Sequence, residues 1–195
     1  MHSRLFLLLC GLCASVTFAH PHVFVDAKVQ VFFNENGLSG ILNHWVYDEV
    51  YSTATVASVD TDGDGKLSAK ESEALKPIVM NQVAKSNYFN YVQSGSDFLE
   101  AKAIKNFSAS VEKGRLVLDF MVSFAAPVGN DYSMLVIVVA DPTNYVQVTT
   151  DMENADVAAP GSIDVEYFSD SLEGLSLFRA FLSDVQGLYL RFKRK

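Results

Sequence analysis

The sequence predicts an α+β protein: an antiparallel β-sheet with an inserted helix–loop–helix and a C-terminal helix. Three observations predict it. Residues 22–34 alternate apolar and polar side chains with a period of two. Residues 48–86 change to helical spacing around the acidic stretch DTDGDGKLSAKE. Past residue 95, β-branched and aromatic runs return. A length of 195 residues suits one compact domain, here residues 20–195. A hydrophobic content of 49% supplies a core and argues against disorder.

Residues 1–19 read as a secretory signal. His2 and Arg4 give a polar start, and the apolar stretch from Leu5 to Val16 is too short to span a bilayer. Thr17-Phe18-Ala19 then places small residues at the cleavage positions, so cleavage is expected after Ala19. Both cysteines, Cys10 and Cys13, fall inside this segment. The expected mature chain has no disulfide, which suits a periplasmic location. A net charge of −8 argues against general nucleic-acid binding.

In the first strand, Val23, Val25, Ala27, Val29, Val31 and Phe33 point one way, towards a core. The turn Asn34-Glu35-Asn36-Gly37 leads to a second strand at 40–47. Helices are expected at 48–59 and 69–86, with Pro77 bending or shortening the second. A hairpin is expected at 107–124 around Lys113-Gly114. Further strands are expected at 133–140, 144–150 and 163–168, with a loop at 156–162. The stretch 172–190 is amphipathic and is expected to be the C-terminal helix.

Residues 60–71 fit the twelve-residue EF-hand loop. Asp60, Asp62 and Asp64 take positions 1, 3 and 5, and Gly65 takes the sharp turn at 6. Lys66 offers its carbonyl, Ser68 a water-mediated contact, and Glu71 both carboxylate oxygens. Ca²⁺ wants six to eight oxygens, and alternate residues of a tight loop aim them inward. Four acids around one point repel each other, so without a cation this loop is expected to be strained or mobile. The competing reading is an Asp/Gly turn that binds nothing. One such loop in an exported chain is expected to brace the helix pair rather than to sense calcium.

Cleavage after Ala19 would make His20 the first residue, with Pro21 and His22 behind it. In a strand, residues i and i+2 share a face, so the two imidazoles can converge on Zn²⁺ or Ni²⁺. Pro21 lacks an N–H, which rules out a square-planar clip built on the second amide. The hairpin returns residues 48–52 beside His22 and pairs His44 near Val29, so Asp48 is the better third ligand. Two solvated histidines, and an Asp48 that only caps a helix, are the plain alternatives. No Gly-x-Ser-x-Gly, phosphate-binding glycine loop or His-Glu-x-x-His is present, and an enzyme is not expected.

Four segments together resemble a bacterial family of exported proteins of unknown function, substrate-binding-like components of ABC transport systems. They are His20-Pro21-His22-Val23-Phe24-Val25-Asp26, Trp45-Val46-Tyr47-Asp48-Glu49-Val50-Tyr51-Ser52, the loop from Asp60 to Glu71, and Asp141-Pro142-Thr143-Asn144-Tyr145. Phe24, Tyr47 and Asn144 depart from the family's usual residues there. The resemblance implies a companion of nickel/cobalt/zinc-type permeases of the inner membrane. It raises the expectation of a transition metal at His20 and His22. The expected function is therefore a periplasmic metal-binding accessory protein. The contrasting expectation is a calcium-stabilised interaction module with no transition-metal role.

Overall fold

The period-two alternation at 22–34 builds β1 (Val23–Asn34), whose burial alternates as the sequence predicts. A computed structural model of the chain describes residues 22–173 and 185–195. The expected signal segment and His20 lie outside the described residues. Gly37 opens β2 (Gly37–Tyr47), which pairs antiparallel with β1 and sets His44 opposite Lys28. Gly37 has φ +120, and a Cβ there would sit 2.0 Å from the Ala126 carbonyl oxygen, so this turn admits only glycine.

Two helices follow, α1 (Glu49–Ala57) and α2 (Ala69–Val83). Pro77 costs α2 one internal hydrogen bond, yet the helix runs on to Val83 and passes into a 3₁₀ segment, Ala84–Phe89. The remaining strands are β3 (Asn90–Ser94), β4 (Asp97–Phe98), β5 (Ala103–Glu112), β6 (Arg115–Pro127), β7 (Ser133–Val139), β8 (Val146–Thr150), β9 (Asp156–Ala158), β10 (Ile163–Ser171) and β11 (Gln186–Arg194).

The strands form two sheets. One has the order β5-β6-β2-β1-β8, with β9 also on β1; the other has the order β10-β11-β7-β3-β4. Their inner faces share one core containing Trp45, Phe120, Ile137, Leu188 and Phe192. Phe33 meets Phe192 at 5.0 Å between ring centroids, and Trp45 stacks on Phe89 at 6.0 Å. A buried amide pair, Asn43 Nδ2 to Asn90 Oδ1 at 3.1 Å, ties the sheets together inside this apolar layer.

Three expectations are corrected. The expected C-terminal helix is corrected at its end: residues 186–190 belong to a strand, Gln186–Arg194, while residues 174–184 of that stretch lie outside the described residues. Inward-facing Leu188, Leu190 and Phe192 satisfy a period of two, and β11 gains partners on both edges, β10 and β7. The first sheet is mixed, because β8 and β9 run parallel to β1. Asp156–Ala158, read as loop, is short β9 beside Gln30–Phe32.

Each helix is fastened to the β5–β6 hairpin by one serine. Ser52 of α1 accepts the Leu116 N–H at 2.8 Å, and Ser72 of α2 accepts the Ala109 N–H at 2.8 Å. Both serines are buried, so these hydroxyls complete the hydrogen bonding of backbone groups that water does not reach. Ser52→Ala orphans the Leu116 N–H and is expected to cost about 2 kcal/mol, read from denaturant unfolding at unchanged slope.

Candidate metal centre

The loop between α1 and α2 folds around its own acids. Gly63 and Gly65, at φ +72 and +74, turn the backbone inward. Asp60 Oδ1 accepts the Gly63 N–H at 2.8 Å, and Oδ2 accepts Gly65 at 2.9 Å. Asp62 accepts Asp64 N–H at 3.3 Å, and Asp64 accepts Lys66 N–H at 2.8 Å. Each loop aspartate thus turns on a nearby amide. These amides place partial positive charge beside the acids.

Glu71 closes the loop from the first turn of α2. Its Oε1 accepts the Thr61 N–H and hydroxyl, both at 2.7 Å. Its Oε2 accepts the Ser68 N–H at 3.0 Å and hydroxyl at 2.7 Å. Ser68 accepts the Glu71 N–H in return, completing a capping box. Four donors, led by the Thr61 N–H, lower the Glu71 carboxyl from 4.5 to about 2, against the opposing effect of burial. They also fill its four lone-pair sites, so a cation taken by both oxygens must displace the two hydroxyl donors.

Ligand oxygens of Asp60, Asp62 and Glu71 lie within 4.8 Å of one another. The Asp64 carboxylate stands outside this trio. Lys66 and Ser68 serve the loop through the Lys66 N–H and the Ser68 cap. The trio is all carboxylate oxygen, with no imidazole or thiolate. That donor set suits a hard divalent cation and is poorly matched to a softer transition ion. A divalent cation can be coordinated here.

The histidine region looks different. His22 is exposed; its N–H donates to the Tyr145 carbonyl at 2.9 Å, and its ring lies 5.2 Å from the Tyr145 ring. Asp48 does return beside the start of β1, and both its oxygens are engaged. Oδ2 accepts the Phe24 N–H and Oδ1 the Tyr51 N–H, each at 2.9 Å, so Asp48 is the N-cap of α1. Burial pushes this carboxyl up, but the amides of Phe24, Tyr51 and Val50, with Arg115 nearby, hold it below its ordinary value. Among the described residues, His22 and Asp48 join no group of three potential ligands. His44 is committed elsewhere, 2.8 Å from Asp119.

Residues 5–167 match the family described as "Protein of unknown function (DUF1007)". The chain belongs to that family. An uncharacterized protein of Haemophilus influenzae is 26% identical over 170 residues, covering 86% of this chain and 77% of that protein. The DUF1007 match spans the loop, both helices and the segment Asp141–Tyr145.

Sequence reasoning missed two features of the site. Thr61, at loop position 2, donates twice to Glu71; its hydroxyl beside Asp60 was the available signal. Asp141 was named within a segment that carries the family resemblance, with no role of its own. Its carboxylate accepts from Thr143 N–H and Oγ1, Tyr145 N–H and Val146 N–H, and so holds the loop that carries Tyr145 to His22. The spacing Asp-Pro-Thr was the signal there, since a short acid two residues before a hydroxyl favours such a knot.

Proposed function

We propose that this chain is an exported, non-enzymatic cation-binding accessory protein. Residues 60–71 form an EF-hand-type calcium loop, and residues 1–19 are removed after Ala19 on passage into the periplasm. One observation carries the calcium reading: Asp60, Asp62 and Glu71 converge within 4.8 Å on a loop between two helices. Calcium there braces α1 against α2, because its ligands come from the end of one and the start of the other. The mature histidines His20 and His22, with Asp48 beside β1, take up Zn²⁺ or Ni²⁺ for an inner-membrane permease of the nickel/cobalt/zinc type. Exposure of His22 supports hand-over rather than storage.

Calorimetric titration of the N-terminally verified mature protein tests both parts. Calcium is expected to bind with a Kd of about 10⁻⁴–10⁻³ M, the range of extracytoplasmic modules. At a hundredfold excess over Kd it is expected to stabilise the fold by about 2.7 kcal/mol. For a chain of this size that is roughly 5–10 °C in Tm. Zinc and nickel heats are expected to survive calcium saturation and to vanish in His20→Ala/His22→Ala. Unchanged heats in that variant would leave a calcium-stabilised module without transition-metal transfer.

A further inference from the structure

A cleft of about 240 Å³ opens between α1, α2 and the loop joining β7 to β8. It is separate from the acidic loop, and its chemistry is different. Tyr47, Tyr51, Phe89 and Tyr145 contribute aromatic surface, and Val79 and Val83 of α2 contribute aliphatic surface. Tyr47 and Tyr51 stack at 4.6 Å with 20° between ring planes. Among the described residues, no lysine, arginine or histidine lines the cleft, whereas Asp141 does.

We propose that this cleft binds a small organic cation, a quaternary ammonium attached to an apolar body. The charge balance selects the sign: three tyrosines and one carboxylate line the cleft, with no positive lining side chain among the described residues to receive an anion. The state of Asp141 selects the kind of cation. Its oxygens are already held by the Thr143, Tyr145 and Val146 donors, so it supplies a negative field rather than a free acceptor. The other acceptors in the lining are neutral, the hydroxyls of tyrosine, Thr143 and Ser86 and the Gln82 amide, a set poorly suited to a strongly hydrated metal ion or primary ammonium. A quaternary ammonium is weakly hydrated and is held by ring faces. The volume limits the ligand to about one ring with its ammonium, below the usual range for drug-sized sites.

The protein carries its own reporter. Trp45, the single tryptophan, is buried and stacks on Phe89, with Tyr47 edge-on at 6.3 Å. Calcium-saturated protein is titrated with benzyltrimethylammonium, benzyl alcohol and benzoate, following Trp45 emission and amide chemical shifts. The ammonium is expected to saturate and to bind at least about fivefold more tightly than benzyl alcohol, the ratio a partly desolvated cation–π contact supplies. Benzoate is expected not to bind. Gln82→Phe, at an exposed position on the rim, is expected to abolish binding with an unchanged fold and an unchanged calcium response. Tyr145→Leu is expected to weaken the ammonium and leave benzyl alcohol unaffected. Equal affinity for ammonium and alcohol, binding of benzoate, or retention of binding in Gln82→Phe would each overturn the proposal.

Discussion

Glu71→Gln is expected to abolish the calcium-dependent rise in Tm and also to lower the Tm of calcium-free protein. The second effect separates this residue from a ligand that acts only through the ion. Glutamine keeps one acceptor oxygen but turns an amide NH₂ towards one of the two donor pairs, Thr61 or Ser68. Lys66→Ala is the control. In the proposed EF-hand loop, position 7 contributes only a backbone carbonyl, so the calcium response of this variant is expected to match the wild type.

The same carboxylate gives a pH signature. Its folded pKa of about 2 lies below the ordinary 4.5. A depressed folded pKa means the folded state binds the proton less well than the unfolded state. The stabilisation is therefore complete above pH 4.5 and is lost as pH falls towards 2. In calcium-free protein the Tm gap between wild type and Glu71→Gln is expected to be constant above that window and to narrow within it. A gap that persists undiminished at the acid end would place the stabilisation elsewhere.

Asp141→Ala is expected to destabilise the protein by about 3 kcal/mol, the scale of losing several hydrogen bonds to a charged acceptor. For this chain length the matching drop in Tm is roughly 6–12 °C. The substitution strands the Tyr145 and Val146 N–H groups at the entry to β8, the strand that runs parallel to β1. It also frees Tyr145, so the His22 imidazole resonances are expected to shift although position 141 is not a ring partner of His22. Asp141→Asn should recover only part of the loss, because one of its side-chain atoms becomes a donor facing donors. A Tm within a degree or two of wild type, with unmoved His22 resonances, would show that the knot does not hold this loop.

Different residues were legible in the sequence for different reasons. The faces of β1 were readable because alternation with a period of two needs only neighbouring residues. The start of α2 at residue 69 was readable, but Ser68 was read only as a water-mediated contact, and its capping box with Glu71 emerged from the structure. The acid trio was readable as part of a fixed loop spacing, though Asp64 falls outside the converging oxygens. The first half of the strand at Gln186–Arg194, residues 186–190, was misread as helix because a short apolar stretch fits helix and strand alike. It becomes a strand because β10 and β7 stand ready on its two sides. Asp156–Ala158 is too short to carry a pattern, and only the free edge of β1 makes it β.

By itself the sequence determined what local chemistry determines: the inward face of the first strand, the two helices and the oxygen-rich loop between them. Only the tertiary structure decided strand order, the parallel pairing on β1, the serine ties to β5 and β6, and the meeting of Tyr145 with His22. Those features join residues tens of positions apart, and their energy comes from groups that become partners only after the sheets have closed on a shared core.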